Sequence, residues 1–216
     1  MVLVKICGNT SKEDAAKALE YGADLIGVIV NVPVKTPRKV SLKTAKEIYS
    51  VVPRGKRVMV LMPSGIDEVI RLCSEAEPDY IQLHGGESPE LLMELRKVLP
   101  CRIIKTIHVS GAGAVDEARK FSSLCDLLLL DTPSASMGGS GVKHDWRVSR
   151  DVVSAIEVPV ILAGGLNPEN VGEAVRRVRP YGVDVSSGVE SKPGKKDYDR
   201  VKNFIEAAKR ANHGNN

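Results

Sequence analysis

The 216-residue chain is 43% hydrophobic and 27% charged, an ordinary globular composition that allows a sizeable buried core. Its net charge of +4 is small, its lysines and arginines are scattered, and only 4% of its residues are aromatic, which argues against a nucleic-acid partner. The apolar runs are too short to span a bilayer, and Met1 to Lys5 enters a strand with no leader, so no membrane association and a cytoplasmic location are expected. The four cysteines, Cys7, Cys73, Cys101 and Cys125, lack C-x-x-C spacing, so neither a zinc site nor a disulfide framework is expected.

Strand-like and helix-like runs alternate along the whole chain. Residues 2–7 read as the first strand, and Ser11 caps a helix running to Tyr21. The second strand spans 24–30, and its helix, about 41–52, follows a loop holding Pro33, Pro37 and Arg38. Strands follow at 57–62, 80–84 and 102–107, with helices starting near Gly65, Ser88 and Ala112. Residues 126–131 form a sixth strand whose four leucines suit burial on both faces. A glycine-rich loop, 132–145, leads to a helix near Ser149. Strands seven (158–162) and eight (around Val183 to Val185) come next, then a closing helix over 197–211 and a polar tail from His213. Eight strand–helix units without a linker predict an α/β fold, a single (β/α)8 TIM barrel over residues 1–216. A doubly wound sheet is the rival, but Cys7-Gly8-Asn9-Thr10 stands where its G-x-G-x-x-G turn belongs.

Two strand ends carry small residues. Gly164 and Gly165 follow strand seven, where Asn167-Pro168 reads as an N-cap with proline at the first helical position. Ser186, Ser187 and Gly188 follow strand eight. Either set serves as turn residues; adjacent ones suit a phosphate resting on uncovered amides. Active sites of such barrels lie at the carboxyl ends of the strands, which draws attention to Cys7, Arg38, Gln82, His84, Asp131 and Asp184. Cys7 is a packing residue or a thiol facing the mouth, and Asp131 a loop cap or an acid with a task. Arg38 is solvated or clamps a carboxylate, and His84 is a core histidine or a catalyst. No metal cluster, Ser–His–Asp set or Walker loop is visible. A thiol and a carboxyl across a barrel mouth, beside a phosphate grip, suit proton shuttling without a cofactor, provided positive potential pulls the thiol toward neutrality.

The chain resembles the phosphoribosylanthranilate isomerase family of tryptophan biosynthesis. The resemblance is carried by Lys5-Ile6-Cys7-Gly8, Gly22-Ala23-Asp24, Tyr80 to Gly85, Leu130-Asp131-Thr132, Gly138 to Gly141 with Asp145-Trp146, Leu162 to Leu166 with Asn170-Val171, and Val183 to Glu190 with Pro193 to Asp197. It implies a cofactor-free Amadori rearrangement of a phosphorylated aminoaldose to an aminoketose. By that resemblance Asp131 is the general acid, Cys7 the general base, and Arg38 grips the anthranilate carboxylate. Asp184 supports them, and the phosphate rests near Gly164, Gly165, Ser187 and Gly188. A monomer or homodimer is implied. Val30 and His144 stand where the family usually has aromatics, and Thr36 precedes Pro37-Arg38 in place of its usual serine. A histidine-pathway barrel isomerase normally has an aspartate where Cys7 stands, and a phosphate-sensing scaffold would not need both Cys7 and Asp131.

Overall fold

The computed structural model describes residues 1–109, 111, 113–131 and 146–213, with the side chains of 212 and 213 excepted. Eight strands close into a barrel in chain order: β1 (Leu3–Ile6), β2 (Leu25–Asn31), β3 (Arg57–Leu61), β4 (Tyr80–Leu83), β5 (Arg102–His108), β6 (Leu127–Asp131), β7 (Val160–Leu162) and β8 (Gly182–Val185). All neighbouring pairs are parallel, and β1 meets β8 with Lys5 opposite Asp184. Helices α1 (Lys12–Glu20), α2 (Leu42–Tyr49), α3 (Ile66–Ala76), α4 (Pro89–Val98), α5 (Ala114–Phe121), α6 (Trp146–Ala155), α7 (Val171–Val178) and α8 (Tyr198–His213) follow the strands in turn. Serine hydroxyls start three of them, as Ser11, Ser41 and Ser88 accept from the amides of Asp14, Thr44 and Leu91.

The strand period of two sorts side chains between two apolar layers. The larger layer lies between strands and helices. The smaller fills the barrel itself and consists of Leu25, Val58, Tyr80, Ile104, Leu127, Leu129, Ile161 and Ala163, with Leu3 at its edge. Its strand members are alternate residues of their strands, and Ala163 extends the same parity just past β7.

An aspartate recurs at the amino-terminal entry of three strands. Asp24, Asp79 and Asp126 each donate their backbone N–H to the preceding strand, at Val4, Arg57 and Ile103. Their carboxylates accept the N–H of Val4, Arg57 and Ile103 at 2.9, 2.9 and 2.7 Å. Each aspartate thus saturates a strand start that would otherwise leave a donor facing apolar surroundings.

The expected barrel is present, with strand boundaries shifted by no more than two residues where both ends were read from the chain. Three local expectations need correction. Asn167 does not cap α7: its carboxamide accepts the N–H of Glu169 and Asn170, closing a turn, and the helix begins one turn later behind Asn170. Strand eight leads not into a helix but into a 3-10 turn (Ser187–Val189) and a hairpin, β9 (Glu190–Lys192) with β10 (Lys195–Lys196), before α8. The helix expected near Ser149 starts at Trp146. The glycine-rich stretch 132–145 and the tail 214–216 lie outside the described residues.

Asp79→Ala strands the Arg57 N–H, a cost of about 1–3 kcal/mol. Because Asp79 is remote from the carboxyl ends of the strands, thermal unfolding should shift down by several degrees while any activity housed at those ends is retained in the folded protein. Calorimetry beside an activity assay checks this.

Candidate active site

Toward the carboxyl ends of the strands the inward positions turn polar. The set comprises Lys5 and Cys7 from β1 and its end, Gln82 and His84 from β4 and its end, Thr106 and His108 from β5, Asp131 from β6, and Asp184 and Ser186 from β8 and its end.

Lys5 is wholly buried, and its Nζ donates to Asp184 Oδ1 at 2.9 Å. Gly27 on β2 makes room for this pair and for Cys7. A Cβ on Gly27 would fall 2.8 Å from Cys7 Sγ and 3.0 Å from Lys5 Nζ, so glycine is what allows thiol and ammonium to crowd the same point. Burial disfavours the charge on Lys5, yet Asp184 and the Cys7 sulfur hold its pKa above the ordinary value. For Cys7, burial pushes the thiol up, and the opposing pull of Lys5 and Lys196 does not overcome it, since Asp184 adds to the rise. The sequence reading required a thiol pulled toward neutrality; in this structure burial dominates.

Asp131 sits between two imidazoles. Its Oδ2 lies 3.6 Å from His84 Nε2 and 3.9 Å from His108 Nδ1. The two rings meet edge to face, their centroids 5.2 Å apart. Burial, reinforced by His108, lowers the His84 pKa to about 4, so His84 is neutral at pH 7. Its Nδ1 lies 3.2 Å from both the Gln82 carboxamide nitrogen and the Thr106 hydroxyl. The carboxamide nitrogen can only donate, which assigns the ring proton of His84 to Nε2, facing Asp131. His108 Nε2 sits 3.0 Å from the His84 carbonyl and donates to it. In neutral His108 this leaves a lone pair on Nδ1 toward Asp131. The Asp131 carboxylate thus lies near one ring nitrogen of each histidine, beyond hydrogen-bond length of either. Behind it, the buried Lys105–Glu87 pair (2.7 Å) and the Lys105 bond to the Gly85 carbonyl (2.6 Å) fix the loop after His84.

Arg38 does not lie free in solvent. Its Nε and Nη2 form a fork on Glu190, at 2.8 and 2.7 Å. Lys196 joins them, donating to Glu190 at 3.3 Å and to the Ser186 carbonyl at 3.0 Å. Gly8, at φ +70°, lets Arg38 cross above it: a Cβ there would fall 2.6 Å from Ser186 Oγ and 3.0 Å from Arg38 Cδ. The β9–β10 hairpin that carries these partners docks on the first loops through the Thr10 hydroxyl, which donates to the Gly194 carbonyl at 2.7 Å.

The two glycine-bearing turns touch each other. Gly164 and Gly165 take φ of +83° and +66°, a region that disfavours side chains. A Cβ on Gly188 would fall 1.9 Å from the Leu166 carbonyl oxygen. Gly188 is therefore needed first to bring the turns after β7 and β8 together.

A family model described as N-(5'phosphoribosyl)anthranilate (PRA) isomerase matches residues 4–207. The chain belongs to the phosphoribosylanthranilate isomerase family. It is 46% identical over 208 residues to the N-(5'-phosphoribosyl)anthranilate isomerase of Methanocella arvoryzae, covering 95% of this chain and 97% of that protein. With the corresponding protein of Methanopyrus kandleri the identity is 50% over 219 residues, covering 97% and 99%. The crystal structure of phosphoribosyl anthranilate isomerase from Thermotoga maritima superposes with a TM-score of 0.87 at 38% identity, covering 97% and 100% of the two chains. A structure of a phosphoribosyl anthranilate isomerase in complex with reduced 1-(o-carboxyphenylamino)-1-deoxyribulose 5-phosphate gives 0.85 at 36% identity, with the same coverage.

The barrel mouth of this isomerase-family chain brings Cys7, Arg38 and Asp184 into one cluster and sets Asp131 against His84. The sequence reading assigned no role to Gly27, His108, Glu190 or Lys196, nor to Lys5. A lysine between Val4 and Ile6 on a buried strand was the available signal for Lys5, and the period of two along β5 was the signal for His108; Gly27, Glu190 and Lys196 come from long-range contacts. Gly188→Ala pushes the turn after β8 off Leu166. The Michaelis constant for the phosphorylated substrate should rise about tenfold or more, since displacements near 1 Å carry penalties of that order. An unchanged constant in folded protein would place the phosphate elsewhere.

Proposed function

We propose that Cys7 and Asp131 act as base and acid in the family's reaction, which this chain carries out. That reaction is the Amadori rearrangement of N-(5-phosphoribosyl)anthranilate to 1-(2-carboxyphenylamino)-1-deoxyribulose 5-phosphate in tryptophan biosynthesis. The observation that carries this assignment is the pairing of environments at the ends of β1 and β6. A buried thiol lies beside an ammonium, and a carboxyl lies beside the ring nitrogens of two histidines.

In this reading Asp131 protonates the ribose ring oxygen, and the ring opens to a Schiff base. The Cys7 thiolate removes the proton from the sugar C2, giving an enolamine that tautomerises to the ketone. No step changes the net oxidation state, so no cofactor is required. Arg38 has donors left beyond its fork on Glu190 and receives the anthranilate carboxylate. Asp184 acts through Lys5. The amides near Gly164, Gly165, Ser187 and Gly188 take the phosphate at the turns after strands seven and eight. Gln82 Oε1 and Ser186 Oγ are buried without a protein partner among the described residues, and both suit hydroxyls of the sugar. Residues 1–216 work as one barrel domain, in the cytoplasm, as a monomer or homodimer. No helix among the described residues is long and apolar enough to cross a membrane.

Asp131→Asn keeps the shape but removes the transferable proton, and Cys7→Ser replaces the thiol by a far weaker base. Each should lower kcat by about 10² to 10⁴, the usual weight of a general acid or base. Each variant should also fail to rescue a tryptophan auxotroph lacking only this isomerase. Near-wild-type kcat in either folded variant removes that residue from the mechanism.

The pH dependence follows from the direction of the Cys7 shift. The thiolate is the active form and burial raises its pKa. In the free enzyme kcat/KM should therefore keep rising with pH beyond the ordinary thiol value of about 8.5. Replacing both members of the neighbouring pair, Lys5→Met with Asp184→Asn, avoids leaving a buried charge alone. Lys5 is the largest opposing influence on the thiol and outweighs the opposite push of Asp184, so losing both should move the limb up by a net amount and lower kcat/KM at pH 8. A limb that moves down instead shows that Lys5 is not the dominant opposing influence on the base.

A further inference from the structure

Cys73 and Cys101 stand apart from the catalytic mouth. Cys73 lies in the last part of α3, and Cys101 immediately precedes β5, so both belong to the amino-terminal end of the barrel. Their sulfurs are 3.9 Å apart, and 28 positions separate them along the chain. They share the wall of a cavity of about 640 Å³ with Arg54, Asp79, Tyr80 and Arg102. Cys101 is half-buried, while Cys73 is packed in the main core. No part of the proposed mechanism uses either residue.

We propose that Cys73 and Cys101 are a redox modification site, closing into a reversible disulfide when a peroxide enters the cavity. The two thiols differ in the way such chemistry needs. The contact with Cys73 and the backbone amides of Cys101 and Ile81 hold the Cys101 thiol below its ordinary value against burial and Asp126, and Cys101 is also the half-buried member of the pair. The same contact, with burial, pushes Cys73 up. Cys101 is therefore the nucleophile. Its thiolate attacks one peroxide oxygen, the O–O bond breaks, and hydroxide leaves, giving a sulfenic acid. The Cys73 sulfur then attacks that sulfur, forming the S–S bond. Its proton and the sulfenic hydroxyl leave together as water. Two electrons pass from the thiols to the peroxide, and a dithiol reductant restores the pair.

The bridge would close a loop holding β4 and α4 and would tie α3 to the start of β5. Constraint of the unfolded chain makes such a link stabilising, while the mouth at the opposite end is left alone.

The test treats the full-length protein with hydrogen peroxide and counts thiols in denaturant. The free thiols should fall by two, and peptide mapping should give a linked Cys73–Cys101 fragment. The melting temperature should rise by about 5–10 °C and return on reduction. Cys7→Ser protein should lose the same two thiols. Cys101→Ser and, separately, Cys73→Ser should show neither linked fragment nor melting shift. Peroxide consumption with no linked fragment, or an equal melting shift in wild type and in both single variants, overturns the proposal.

Discussion

The Lys5–Asp184 ion pair spans the seam where the first strand meets the last, and the chemistry of the mouth depends on it. Two charges in a barrel interior cost desolvation that a pair of well-packed apolar residues would avoid. The pair also occupies the layer directly above the apolar plug of Leu25, Val58, Tyr80 and their neighbours. Below it the interior can be sealed by side chains of ordinary size. Above it stands a fixed ammonium against the Cys7 sulfur, with Gly27 leaving the space both need. Removing either charge alone would leave the other unmatched in a dry interior, which couples the closure of the barrel to the state of the thiol.

Much of this was legible in the chain because a strand repeats every two residues. Leu3-Lys5-Cys7, Tyr80-Gln82-His84, Ile104-Thr106-His108, Leu127-Leu129-Asp131 and Gly182-Asp184-Ser186 each run from an apolar or small residue to a polar one. That gradient marks the end of the barrel where the site lies. Reading the strand ends brought out Cys7, His84 and Asp131. Lys5 and His108 share the same parity and were open to the same reasoning. The start of α7 was misplaced because Asn167-Pro168 carries the chemistry of a helix entry, yet the asparagine carboxamide is used on a separate turn.

What the chain did not disclose is the cover of the mouth. Arg38 and Glu190 are 152 positions apart, and nothing local to either residue indicates the other. The hairpin that brings Glu190 and Lys196 into place is only a few residues long, and its strand signal is masked by Lys192, Lys195 and Lys196. Gly188 was readable as a residue needed for access, but the closer constraint is the Leu166 carbonyl of a different loop. Such contacts are products of closure, and a pattern read along one strand cannot contain them.

The charges at the mouth carry one more consequence. Lys5 with Asp184, and Arg38 and Lys196 with Glu190, set three cations against two carboxylates in two ion-pair groups on either side of Cys7. One positive charge is left unmatched among them, next to a thiol whose burial opposes ionisation. Ionising Cys7 would neutralise it, and so would an incoming carboxylate at Arg38. The phosphate, if it were held by these same cations, would compete for that charge and push the thiol further from its active form. In the proposed reading, a grip made from the glycine and serine turns after β7 and β8 would instead bind the dianion with backbone dipoles. On that reading the cations are kept for the reacting end of the substrate, and anion binding and base activation would share one small barrel mouth without competing for the same charge.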